Sequence, residues 1–118
     1  MPALEIITNV KVDDTKAFIQ DFSQKAAAIL GKPVSYISAS ITHNESVSFG
    51  GTFEPAFRMT VISLGNVNPA ANIKYSKQFF QYFKDKLGIS NDRGYITYID
   101  PGNANLGYKS TTFGEIFG

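Results

Sequence analysis

Hydrophobic and polar positions follow two periods along this chain, and the order of the periods occurs twice. Residues 2–8 carry Leu4 and Ile6 two apart, the mark of a short strand with one buried face. The period then lengthens. Phe18, Phe22, Ala26, Ile29 and Leu30 fall on one stripe of a helix that Asp13 or Asp14 can cap. Gly31 ends that helix, Lys32 follows where the helix dipole favours a cation, and Pro33 prevents continuation. A strand is expected over 34–42, with Ile37, Ala39 and Ile41 alternating against Tyr36, Ser38 and Ser40.

The second half repeats this order. After a Phe49-Gly50-Gly51-Thr52 turn, Phe57, Met59 and Val61 alternate with Arg58, Thr60 and Ile62. Asn68-Pro69 opens a second helix, Asn as cap and Pro at the first helical position. Its predicted stripe is Ile73, Ser76, Phe80, Phe83 and Leu87, and Gly88 stops it. A last strand runs from Tyr95 to Ile99 after the Asp92-Arg93-Gly94 turn. Two strand–helix–strand units predict an α/β (α+β) sandwich, a four-stranded sheet with both helices on one face, as a single domain over 1–118. The other face is expected to be rich in apolar side chains and covered by further copies of the chain.

Composition removes most alternatives. With 118 residues, 43% of them hydrophobic, one domain can bury a proper core. Eleven basic residues against ten acidic ones leave a net charge of +1, and the basic residues are dispersed. An electrostatic nucleic-acid or membrane binder is not expected. Absence of cysteine excludes disulfides, thiolate metal sites and thiol chemistry, and a lone His43 cannot build a histidine zinc site. No apolar run approaches a membrane span, and Met1-Pro2-Ala3-Leu4-Glu5 lacks the features of a signal peptide. A cytoplasmic location is the default expectation, any export taking a route without a signal peptide.

Few residues offer chemistry on their own. His43 is read as a surface residue in a polar turn, and Gly50-Gly51 as a turn without the lysine of a phosphate loop. Asn44-Glu45-Ser46 fits a glycosylation sequon, a match read as accidental without a secretion signal. Lys74, Lys77, Lys84 and Lys86 are read as the solvated face of the second helix. Pro2 differs through its position. Removal of Met1 would leave proline's nitrogen as a free secondary amine, able to act as a base where its pKa is lowered. Many chains begin Met-Pro without that consequence.

Other landmarks give Pro2 its weight. The opening Met1-Pro2-Ala3-Leu4 with Thr8-Asn9-Val10 is followed by Leu30-Gly31-Lys32-Pro33 and Tyr36-Ile37, then by Phe49-Gly50-Gly51-Thr52, Glu54-Pro55 and Ser63-Leu64-Gly65. Asp92-Arg93-Gly94-Tyr95-Ile96, Asn103-Ala104-Asn105-Leu106-Gly107-Tyr108 and Thr111-Thr112-Phe113 complete the series. In this order, over essentially the whole chain, the blocks resemble the macrophage migration inhibitory factor family of the tautomerase superfamily.

The resemblance implies a homotrimer in which three sheets close into a barrel with the helices outside. It implies cofactor-free tautomerisation of phenylpyruvate-like keto and enol acids and isomerisation of dopachrome-like compounds. The implied base is Pro2, and Lys32 would meet the substrate carboxylate. A backbone contact falls at Leu64. An aromatic wall, partly from a neighbouring subunit, falls at Tyr95, with Tyr36, Leu106, Tyr108 and Phe113 around the mouth. Three departures accompany the likeness. Ala56-Phe57-Arg58-Met59 stands where vertebrate members have a CxxC motif, so no thiol–oxidoreductase activity carries over. Thr97 stands where many members have Asn, offering a hydroxyl in place of an amide. Gly114-Glu115-Ile116-Phe117-Gly118 continues past the family's usual end. The competing reading is a cytokine-like or partner-binding protein with a vestigial pocket, its receptor unnamed by the sequence.

Overall fold

The computed structural model describes residues 1–117. Strand β1 (Ala3–Thr8) leads to helix α1 (Thr15–Leu30), then a 3₁₀ turn at Val34–Tyr36 and strand β2 (Ser38–His43). Strand β3 (Phe57–Ile62), helix α2 (Pro69–Leu87) and strand β4 (Gly94–Ile99) repeat the pattern. A second 3₁₀ turn (Asn103–Asn105), a small hairpin of β5 (Gly107–Tyr108) and β6 (Thr111–Thr112), and helix α3 (Phe113–Phe117) follow. The four main strands form one sheet in the order β2-β1-β3-β4. β1 runs parallel to β2 and antiparallel to β3, and β3 runs parallel to β4. No described helix is long and apolar enough to cross a membrane.

Alternation places the core. Leu4, Ile6, Phe57, Met59 and Val61 are buried in one cluster with Phe22, Ala26 and Ile29 of α1 and Phe79 and Phe83 of α2. Ala39, Ile41, Ile96 and Tyr98 pack against the same cluster. Both helices therefore lie on one face of the sheet, as the repeat predicts. Asp14 caps α1 by accepting from the Ala17 amide, and Asn68 caps α2 by accepting from Ala71, with Pro69 at the first position. Gly31 and Gly88 end the two helices at φ 66° and 68°, a left-handed conformation that side-chain-bearing residues disfavour.

Four expectations are corrected. The strand predicted over 34–42 begins only at Ser38: extended Pro33 starts a 3₁₀ turn in which the Tyr36 amide donates to the Pro33 carbonyl and Ile37 to Val34. The α2 stripe is rotated. Phe79, Tyr82 and Phe83 are buried, whereas Ile73 is 70% exposed. Tyr82 can enter the core because its hydroxyl reaches out to Asp21, 2.6 Å away. His43 closes β2 instead of lying in a turn, although it is exposed. The uncovered sheet face carries Glu5, Ser38, Ser40, Thr42, Arg58, Thr60 and Thr97 beside Ala3, Ile7, Ile62, Tyr95 and Ile99, so it mixes polar and apolar residues and is not predominantly apolar.

Candidate active site

Strand β1 is central in the sheet, and its first turn of chain is held from both sides. The Pro2 carbonyl accepts from the Ser38 amide at 3.0 Å, and Ala3 lies opposite Ile62 of β3. Pro2 is consequently fully buried. It lines a cavity of about 290 Å³ with Met1, Ser35, Tyr36, Ile37, Leu106, Tyr108 and Phe113 among its walls. A second cavity of about 260 Å³ is lined by Met1, Lys32, Pro33, Tyr36, Leu64 and Phe117. Met1 and Tyr36 belong to both, so the two spaces adjoin across the first residue of the chain.

Lys32 reaches its cavity because α1 ends where it does. The Lys32 amide donates back to the Ala27 carbonyl, which turns the chain out of the helix. Its ammonium then donates to the Leu64 carbonyl at 3.4 Å instead of closing the helix end. Asn66 secures this approach. Its amide donates to the Leu30 carbonyl at 3.2 Å, its own side-chain oxygen accepts from Ser63 at 2.6 Å, and Tyr75 donates to its carbonyl. The end of α1 and the exit from β3 are thereby tied together beside Met1.

The electrostatics favour an unprotonated amine at the start of the chain. The Met1 amine lies below its ordinary range, first through burial and then through repulsion by Lys32, with the charge of Asp100 opposing. Asp100 is itself held below the usual carboxylate range by the Gly65 and Gly102 amides, each 3.0 Å from one of its oxygens. With Met1 in place the Pro2 nitrogen is an amide, and the free amine sits one residue further out. Apart from Ser35 and Ser38, the remaining lining residues contribute mainly apolar and aromatic surface, a suitable setting for proton transfer at carbon next to a carbonyl. Among the described residues no group of His, Cys, Asp and Glu converges to hold a metal.

Seven of the nine residues singled out from the sequence meet at these cavities: Pro2, Lys32, Tyr36, Leu64, Leu106, Tyr108 and Phe113. Tyr95 and Thr97 do not. Both lie exposed on β4, with Tyr95 level with Arg58 and Ile7, so it sits towards the far end of β1 from Pro2. The Tyr95 ring instead rests against Phe49, ring centres 5.1 Å apart. Among the members that sequence reasoning missed are Met1 as a wall, Asp100 as the opposing charge, and Phe117. The Asp100 position carried no local signal, while Phe117 belongs to the segment that departs from the family pattern. A larger depression, about 720 Å³, lies elsewhere between α1 and α2. Two pairs of its polar wall residues bond to each other, Tyr82 donating to Asp21 and Gln81 to Asp85, and it contains no candidate residue.

Known proteins share the sequence pattern and the fold of this chain. The family model described as macrophage migration inhibitory factor (MIF) matches residues 1–114. The macrophage migration inhibitory factor homolog of Trichuris trichiura is 35% identical over 114 residues, covering 96% of this chain and 100% of that protein. Macrophage migration inhibitory factor of Rattus norvegicus is 34% identical, covering 96% and 99%. The solved structure of the factor from Trichinella spiralis superposes with a TM-score of 0.87 at 33% identity, covering 94% of this chain and 99% of that one.

Proposed function

We propose a function from the premise that this chain belongs to the macrophage migration inhibitory factor family: it is a cofactor-independent keto–enol tautomerase of small aromatic keto and enol acids, phenylpyruvate-like and dopachrome-like. The observation that carries the reading is Pro2 buried in an apolar cavity beside the one that holds Lys32. Loss of Met1 would free the Pro2 nitrogen and join the two spaces that Met1 separates.

In this reading the Lys32 ammonium holds the substrate carboxylate, itself kept in place by the Leu64 carbonyl. The neutral Pro2 amine takes a proton from the carbon next to the carbonyl. The electron pair of that bond moves to the carbonyl oxygen as an enolate, and return of the proton to oxygen gives the enol. The reverse path ketonises an enol. Burial and Lys32 both disfavour the ammonium form of the Met1 amine, and the same burial and the same cation would act on the Pro2 amine once Met1 is gone, which supports its role as base at neutral pH. Tyr95 and Thr97 cannot reach Pro2 within one chain, and this supports a trimer in which a neighbouring copy brings that wall. The mixed, uncovered sheet face suits the interior of such a barrel.

The test is loss of enol absorbance from 4-hydroxyphenylpyruvate, with intact mass reporting whether Met1 has been removed. Turnover by the processed protein and its loss in Pro2→Gly are expected. Equal rates in the two proteins would overturn the catalytic reading and leave the partner-binding one.

A further inference from the structure

We propose that Phe117 makes this pocket selective for monocarboxylates, covering the Lys32 side so that a second carboxylate at that end is excluded; this rests on the reading of Lys32 as the carboxylate anchor. Phe117 lies outside residues 1–114, the stretch that matches the family model. It lines the Lys32 cavity together with Tyr36 and Leu64 and is 66% exposed, so it stands at the solvent side of the pocket and not in the core.

Its position is built. The Phe117 ring stacks on Phe113 with centres 5.5 Å apart and planes 19° from parallel, and Phe113 stacks on Tyr108 at 5.4 Å and 6°. Three rings thus run from the Pro2 cavity to the Lys32 cavity. Helix α3 is docked closely: a side chain on Gly114 would meet the Ala104 backbone at 3.0 Å, and the Glu115 amide donates to the Thr112 hydroxyl. The hairpin beneath turns through Lys109 and Ser110, both at positive φ, a strained backbone where neither is glycine. The sequence accepts that strain beside the rings.

The chemistry of the lining then decides the ligand class. Among the described residues that line the two cavities, Lys32 and the chain-terminal amine are the only charged groups, Asp100 acting on the amine from outside the walls. The amine must be neutral to act as a base, which leaves one cation for one carboxylate. A second carboxylate on the same side would face the Phe117 ring, lose its water and gain no partner, an arrangement that is strongly unfavourable. Removing the ring opens that side to solvent.

The experiment uses two unreactive ligands, 3-phenylpropanoate and benzylmalonate, which differ by one carboxylate at the anchored end. Their binding to the full chain lacking Met1 is measured by isothermal titration calorimetry. The parent is expected to prefer the monocarboxylate by about 30-fold. Phe117→Ala should narrow the preference to roughly 3-fold, whereas Phe117→Leu, which keeps an apolar cover, should retain most of it. Equal binding of both ligands by the parent, or an unchanged preference in Phe117→Ala, would overturn the role of Phe117 alone. Failure of the parent to bind either ligand, with Lys32→Ala indistinguishable, would overturn the carboxylate-anchor reading with it.

Discussion

Gly94 opens β4 directly opposite Phe57, and replacing it with alanine tests the packing that holds the Tyr95 strand in place. A Cβ at this position would lie 2.2, 2.5 and 2.6 Å from three carbons of the Phe57 ring. Ordinary contact between carbons needs about 3.5–4.0 Å, so the shortfall exceeds an ångström. The ring has nowhere to go. It is 1% exposed, with Phe83 4.4 Å and Phe80 5.4 Å away between ring centres. Relief therefore requires either β4 to withdraw or the aromatic cluster to open. Overpacking of this kind costs about 3 kcal/mol, the upper end of the usual range. An unfolding entropy of about 2.1 cal/mol/K per residue gives about 0.25 kcal/mol/K for this chain, so Tm should fall by about 12 °C. Thermal unfolding followed by circular dichroism at fixed protein concentration measures it. Adding Phe57→Leu should return part of the loss, with a favourable coupling of about 1 kcal/mol or more. A Gly94→Ala protein melting within about 3 °C of the parent would show that the sheet yields there at little cost, and the reasoning would fail.

The remaining outcomes concern the site. For the protein lacking Met1, kcat/KM should rise with pH and level off, with an apparent pKa below the ordinary α-amino range of about 7.7–8.0, since the burial and the Lys32 charge that lower the Met1 amine would act on the Pro2 amine in its place. A profile still climbing above that range would identify Pro2 as an ordinary terminus. Lys32→Ala should raise KM for 4-hydroxyphenylpyruvate by at least about tenfold, the worth of a charge-assisted hydrogen bond, and move the apparent pKa up as the repulsion disappears. Asp100→Asn should move it the other way, because the opposing charge is lost; a pH profile unchanged by the substitution would remove Asp100 from the site. Thr97→Asn should raise the rate on phenolic substrates by about tenfold, and an unchanged rate in steady-state kinetics would show that this position does not touch substrate.

The sequence by itself determined the elements and indicated seven of the residues that line the pocket. Period and punctuation are local properties, so Leu4 and Ile6, the Phe22–Ala26–Ile29 stripe, the Asp14 and Asn68 caps and the Gly31 and Gly88 stops could be read directly. The spaced blocks from Met1 to Phe113 indicated the family and, through it, seven residues that the fold brings to adjoining cavities. Tertiary structure decided what depends on docking. Whether α2 turns Ile73 or Phe79 inward is set by the surface it meets, because both sit on a helix with apolar residues around much of its circumference. Lys32 could serve the helix end or the cavity; it turns to the Leu64 carbonyl, where the Asn66–Leu30 bond across 36 positions of chain ties the end of α1 to the segment after β3. Pro33 bends Val34–Tyr36 into a 3₁₀ turn that an alternating pattern does not reveal. Phe117 and Asp100 join the site through contacts between segments far apart in the chain, and no local pattern carries such contacts. Tyr95 and Thr97 stay apart from Pro2 for the same reason: the register across β1, β3 and β4 fixes their separation, and register is a property of the assembled sheet.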